Sequence, residues 1–186
     1  LYKTVMEEAE AEQTIEKSRF ISHIKPVTSK EAAEEFIAEI RASYKTATHN
    51  VPAFVIGNKM QLQWASDDGE PQGTSGAPIV QMLVKEGITN VAVVVTRYFG
   101  GIKLGTGGLV RAYTSSAKLA LEAAGIADVR EMLVLEVRMA YSYLAKMKNL
   151  AGEFFSVENI SYTDSIVMQL STEPENEERL KAFLAD

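Results

Sequence analysis

Apolar residues recur along this chain in two rhythms, and the switches between them mark its elements. Residues 14–17 and 19–27 alternate polar and apolar side chains, the period of half-buried strands, and predict a hairpin. Thr28-Ser29-Lys30-Glu31 has capping-box spacing and opens a helix whose apolar stripe is Ala33, Phe36, Ile37, Ile40 and Tyr44. Residues 52–56 and 60–65 read as two strands around a Gly57-Asn58 turn, followed by a loop over 66–75. The next helix starts near Pro78, a residue favoured in a first turn, and carries Ile79, Val80, Met82, Leu83 and Val84. It is apolar on nearly every side, which predicts burial. Val91-Ala92-Val93-Val94-Val95 is a continuous apolar run, as in a strand covered on both faces. Residues 108–124 then predict a helix with Val110, Tyr113, Ala117, Ala120, Leu121 and Ala124 buried, and Arg111, Ser115, Lys118 and Glu122 outside.

Residues 125–129 read as a domain boundary. Beyond them a strand over 132–139, a helix over 141–150, a hairpin across Tyr162-Thr163-Asp164 and a last helix over 175–184 give β-α-β-β-α. That is a ferredoxin-like unit without its final strand. The domains expected are therefore 1–127 and 128–186, in an α+β chain. Leu1 is not an initiator methionine, and residue 186 ends with the second helix of the C-terminal unit. Residues beyond both ends are expected, with three strands and an exposed edge in the C-terminal sheet.

Composition narrows the classes. Hydrophobic residues make up 46% of 186, enough for a real core, while no run approaches the ~20 apolar residues of a membrane helix. The acidic start lacks an apolar block like that of a signal peptide, so a soluble, cytoplasmic protein is expected. With no cysteine there are no disulfides or thiolate sites, and two histidines are too few for a His-rich metal centre. The net charge of −6 argues against a general nucleic-acid coat. Yet no acidic residue occurs between Gly87 and Leu121, where Arg97, Lys103, Arg111 and Lys118 all fall. A positive face on an acidic chain points to a specific anionic partner.

Those cations surround the most unusual stretch. Residues 97–108 hold five glycines, at 100, 101, 105, 107 and 108. Glycines cost chain entropy, so either tight turns require them or a ligand approaches bare amides at a helix start, where the dipole favours an anion. Arg111, early in the helix, is disfavoured by that dipole unless an anion binds. No Gly-Lys-Ser/Thr occurs, so this is no Walker A loop, and Val110 stands where a dinucleotide fingerprint places its third glycine. Ser66-Asp67-Asp68-Gly69-Glu70-Pro71 gathers three carboxylates that either hold Mg²⁺, act as acid and base, form an ordinary turn, or pair with Arg97 or Lys103. His49 is a candidate proton carrier without a partner nearby in sequence. Ser115-Ser116 lacks the strand-turn-helix elbow of a hydrolase serine.

Thr48-His49-Asn50, the acidic run 66–71 with Gly73-Thr74-Ser75-Gly76-Ala77-Pro78, and the long stretch from Val95 to Tyr113 together resemble the IMPACT family, in its bacterial form. The resemblance covers residues 14–125, with the bacterial-type C-terminal domain after it. Val51 stands where cysteine is common and Ser75 where alanine is common; neither change removes a charge. The resemblance implies an N-terminal, two-layer, ribosomal-protein-type β-α domain like domain IV of elongation factor G, and a C-terminal domain like that factor's domain V. Eukaryotic members regulate translation by competing for the activator of a stress-responsive initiation-factor kinase, a system bacteria lack. No catalytic activity and no cofactor follow from it.

The reading preferred on these grounds is a non-enzymatic, translation-linked regulatory protein binding RNA, the ribosome or a translation-factor partner, with no membrane or DNA role. Arg97, Lys103 and Arg111 are expected to converge on an exposed surface and contact phosphates. The amides of Gly100, Gly101, Gly105, Thr106, Gly107 and Gly108 position the anion, and Tyr98 stacks on a base. His49, Asp67, Asp68 and Glu70 form a supporting polar network, without metal. The alternative is an enzyme acting on a phosphorylated small molecule, using the acidic loop for metal or acid/base chemistry. A third is a protein-interaction module using the acidic C-terminal domain.

Overall fold

Strands begin earlier than the clear alternation suggests. The computed structural model describes residues 1–186 and opens with β1 (Tyr2–Val5) and β2 (Ala9–Ile15), then β3 (Ser18–Pro26). β2 alternates after all: Ala9, Ala11 and Ile15 pack on the core while Glu10 and Glu12 take the other face. Alanine is too weakly apolar for that rhythm to stand out. The hairpin closes on Glu16 and Lys17, both at positive φ (46° and 63°), the backbone of a two-residue turn usually announced by Asn-Gly.

α1 (Lys30–Ser43) is capped one residue later than the capping-box spacing suggests, Ser29 Oγ accepting from the Ala32 amide at 3.1 Å. β4 (His49–Ile56), β5 (Leu62–Ala65), α2 (Gly76–Lys85), β6 (Val91–Tyr98), α3 (Gly105–Ala124) and β7 (Ile126–Val129) follow. Five strands form an antiparallel sheet in the order β2-β3-β6-β4-β5. The apolar run of β6 serves both faces. Val91, Val93 and Val95 meet α2 and α3, whereas Ala92 and Val94 meet Phe36 and Ile37 of α1. The domain therefore has three layers, not two, because α1 covers a second apolar face that cannot be left wet. α2 is not buried all round, since Val84 is 37% exposed. The expected linker is a strand: β7 pairs antiparallel with β1, Val5 opposite Ile126.

The chain divides into units Leu1–Val129 and Arg130–Asp186. The second holds β8 (Leu133–Met139), α4 (Leu144–Leu150), β9 (Ser156–Tyr162), β10 (Ile166–Thr172) and α5 (Glu177–Ala185). Its sheet runs β8-β10-β9, antiparallel, with the outer edge of β8 unpaired. Met147, Phe155, Ile166, Met168, Leu170 and Leu180 make its core.

Candidate anion-binding groove and the buried network beside it

Two arginines expected on one surface occupy opposite environments. β6 runs on to Tyr98, so Arg97 lies within a central strand, one pleat after Val95, and faces α3. It is 4% exposed. Its Nη1 donates to Glu70 Oε1 at 2.6 Å, and Nε and Nη2 donate to Ser18 Oγ at 3.3 and 3.2 Å. Glu70 Oε1 also accepts from the Tyr113 hydroxyl at 2.9 Å, and His49 Nε2 lies 3.1 Å away. Burial, and then the Glu70 carboxylate, push the Tyr113 hydroxyl far above its ordinary value, so it stays protonated as a donor. Arg97 cannot meet a phosphate while it neutralises this buried carboxylate. Its expected exposure is thus corrected, and the reason is that a buried Glu70 needs a cation.

Of the acidic loop only Glu70 is buried, but all three carboxylates accept from the chain's own donors. Asp67 Oδ1 accepts from the Ser75 hydroxyl (2.8 Å) and the amides of Ser75 (3.3 Å) and Gly76 (3.1 Å), while Oδ2 accepts from Gly73 N (2.9 Å). Asp67 thereby caps α2, whose N-cap Ser75 makes no side-chain cap of its own. Burial alone would raise the Asp67 carboxyl, but these donors outweigh it and hold it below its ordinary value. Asp68 Oδ2 accepts from Asn50 N at 2.7 Å, and its carbonyl lies 2.7 Å from His49 Nδ1. His49, unpartnered in sequence, is therefore held through both ring nitrogens. The three carboxylates serve three separate sets of donors and do not share a centre.

The groove lies along α3. Lys103, Leu104, Gly108, Arg111, Thr114, Ser115 and Lys118 line an open depression of about 830 Å³, with Ile15 and Glu16 of the hairpin opposite. Lys103 and Arg111 are exposed and make neither hydrogen bond nor ion pair; Lys118 lies 3.4 Å from Glu86. α3 starts at Gly105, three residues early, so Gly105, Thr106, Gly107 and Gly108 form its first turn, which has no side-chain cap and no acidic residue. Arg111 folds back over that turn: a Cβ on Gly107 would sit 3.4 Å from its Nη1. Gly100 has a different reason to be glycine, because its Cβ would fall 1.9 Å from the Lys17 carbonyl. Gly101 lies outside the groove lining, at φ 92°.

Tyr98 is not beside these cations. Strand alternation puts it on the α1 face, where the Arg19 guanidinium lies 5.8 Å from its ring centroid. That face carries a second network. Asn50 Nδ2 donates to Tyr44 O (3.0 Å), so its Oδ1 accepts from Thr96 Oγ (2.7 Å), and Thr96 Oγ is left to accept from His23 Nε2 (3.2 Å). His23 Nδ1 then faces Glu10 Oε2 at 3.1 Å, although burial lowers the ring's affinity for a second proton and Glu10 only partly restores it.

Ser18 and Tyr113 were missed because nothing local marks a residue that satisfies a buried charge from another element. Thr114, Ser115 and Lys118 had a signal: they share Arg111's side of α3 at i+3, i+4 and i+7.

Residues 16–121 match the model of the Impact N-terminal domain, and residues 137–186 that of a domain of unknown function, DUF1949. The IMPACT family member YvyE of Bacillus subtilis is 42% identical over 173 residues, 92% of this chain and 80% of that protein. YigZ of Escherichia coli is 34% identical over 98% of this chain and 88% of its own. A crystal structure of a hypothetical protein superposes on all of this chain and 91% of its own, with TM-score 0.67 and 31% identity. The two-domain translational regulator Yih1 aligns over 66% of this chain and 47% of its own, at 22% identity and TM-score 0.39, too low to bear on this fold. With more than half its length in the first match and such relatives along nearly all of it, this chain belongs to the IMPACT family.

Proposed function

We propose that the chain is a non-enzymatic, cytoplasmic, translation-linked binding protein that meets RNA, the ribosome or a translation-factor partner through the α3 groove. Family membership supports the translation link, since the eukaryotic members to which the chain is similar regulate translation. The likeness of the two units to domains IV and V of elongation factor G belongs to the same reading and is fold-level analogy. No helix is long and apolar enough to cross a membrane.

One observation carries the site: Lys103 and Arg111, exposed and unpaired, line a groove at an uncapped helix start in a chain of net charge −6. Arg97 leaves the set of contacts and becomes a support. Against the rival enzyme reading, Asp67 and Glu70 already accept from internal donors, while the exposed Asp68 accepts from the Asn50 amide. Tight Mg²⁺ or Mn²⁺ binding in calorimetry, abolished by Asp68→Asn, would restore it.

Ribosome co-sedimentation at low and high salt, with free RNA as competitor, tests the reading. The protein should pellet with ribosomes at low salt and be released by salt and by RNA. Lys103→Glu and Arg111→Glu should abolish pelleting while the fold melts as before. Pelleting unchanged in those folded variants would overturn the groove as the contact.

A further inference from the structure

We infer that the α3 groove takes an extended single strand of phosphodiesters lying along the helix, and not a lone phosphate; this rests on the groove being the binding surface. Arg111 and Lys118 are seven residues apart, two turns, so they project from nearly the same side of α3 at bases about 10.5 Å apart. Thr114 and Ser115 fall between them, which makes a stripe of cation, hydroxyls, cation. The charged heads diverge further. Arg111 lies back over Gly107 towards the helix start, and Lys118 reaches towards Glu86 at the end of α2. No one tetrahedral anion meets both. A chain of phosphates does, with Arg111 near the uncapped amides, the Thr114 hydroxyl donating to the phosphate between while Ser115 stays bonded to the Ala112 carbonyl and Gln13, and Lys118 on the next.

The opposite wall decides between single and double strand. Ile15 and Glu16, from the tip of the β2–β3 hairpin, face α3 across the depression. An open groove between α3 and the hairpin tip suits one row of phosphates, with Ile15, Leu104 and Val110 offering apolar surface to sugars and bases. A duplex would stand off on the hairpin. No aromatic side chain lines the groove, so the contacts it offers are to the phosphate backbone and not to stacked bases. Glu16 is the one carboxylate on the lining and faces the path of the strand.

Fluorescence anisotropy with labelled oligouridylates of two, four, eight and sixteen nucleotides, the whole chain and a salt series tests this. Affinity should rise at least tenfold from the dimer to the octamer and then level off. Lys103→Glu, Arg111→Glu and Lys118→Glu should each flatten the plot of log affinity against log salt by about 0.7, the single-strand value per phosphate. Glu16→Lys, at an exposed turn, should tighten binding several-fold, so the test does not depend on loss alone. Equal affinity for dimer and octamer, or displacement by inorganic phosphate at matched phosphate concentration, would mean a single-anion site and overturn the inference. Tighter binding of a sixteen-base-pair duplex, or of a polyglutamate peptide, would overturn it in favour of a duplex or an acidic protein. Octamer binding that these variants leave intact would also overturn it. Ribosome pelleting without oligonucleotide binding would sink this inference alone; the reverse result would sink only the translation link.

Discussion

Arg97 and Arg111 are fourteen residues apart, carry the same side chain and flank the same glycine-rich segment, yet one is a strut and the other is free. Arg97 sits on a strand buried on both faces and meets Glu70, Ser18 and, at 5.6 Å, the ring of Phe20. Arg111 sits on the wet side of a helix with no partner. A cation in a basic segment is thus assigned by the face its element turns to the core, not by the local charge count.

Substitutions at the two positions should therefore separate stability from binding. Replacing Arg97 by Met leaves Glu70 buried without its cation, a loss of about 3–5 kcal/mol, whereas Arg111→Met should stay within about 0.5 kcal/mol of the parent in urea denaturation. Equal melting behaviour would erase the contrast. Gly100→Ala comes next, because its Cβ would press on the Lys17 carbonyl; overpacking of this kind costs about 1–3 kcal/mol and should lower the thermal midpoint. Tyr113→Phe removes one donor from Glu70 and should cost about 1 kcal/mol, with the double variant Arg97→Met/Tyr113→Phe non-additive because both serve one oxygen.

The smallest effects are pH-dependent. His23 binds its second proton less readily when folded than its ordinary 6.5, so the unfolded chain takes up more protons and stability falls as pH drops below 6.5. The groups facing His23 are Glu10 and Glu8 near the start of β2, Tyr44 after α1, and the neutral Thr96 of β6. Glu10→Gln removes the anion that favours the charged ring and should steepen that loss. A second loss should begin below the ordinary 3.8 of Asp67, whose folded value is depressed, and should vanish in Asp67→Asn. NMR titration of the two histidines together with melts across pH checks both.

Much of the fold was legible in the sequence. The capped stripe of α1, the β6 run and the ridge of α3 from Tyr113 onward are long periodic signals that tertiary packing reinforces, whereas Val110, expected in that ridge, is exposed on the groove. β1 and β7 were not, because four-residue strands that pair across the whole N-terminal unit carry no local rhythm of their own. The extent of β6 was misjudged at Thr96-Arg97-Tyr98, where polar side chains ended the apolar run but not the hydrogen-bond ladder. Arg97 and Tyr98 therefore lie on opposite faces of β6. Lys103 and Arg111 were legible because they lie outside any buried face, while Ser18 and Tyr113 became part of the site only through Glu70, an interaction between distant segments.

On the proposed function Lys103, Arg111 and Lys118, and not Arg97, carry the contact with the anionic partner. Salt-dependent ribosome co-sedimentation of Arg111→Gln, with a melt of the same sample, tests it most directly. Pelleting should fall strongly, and its salt dependence should weaken, in a protein that melts like the parent. Undiminished pelleting with an unchanged melt, or a melt lowered as far as that of Arg97→Met, would contradict it.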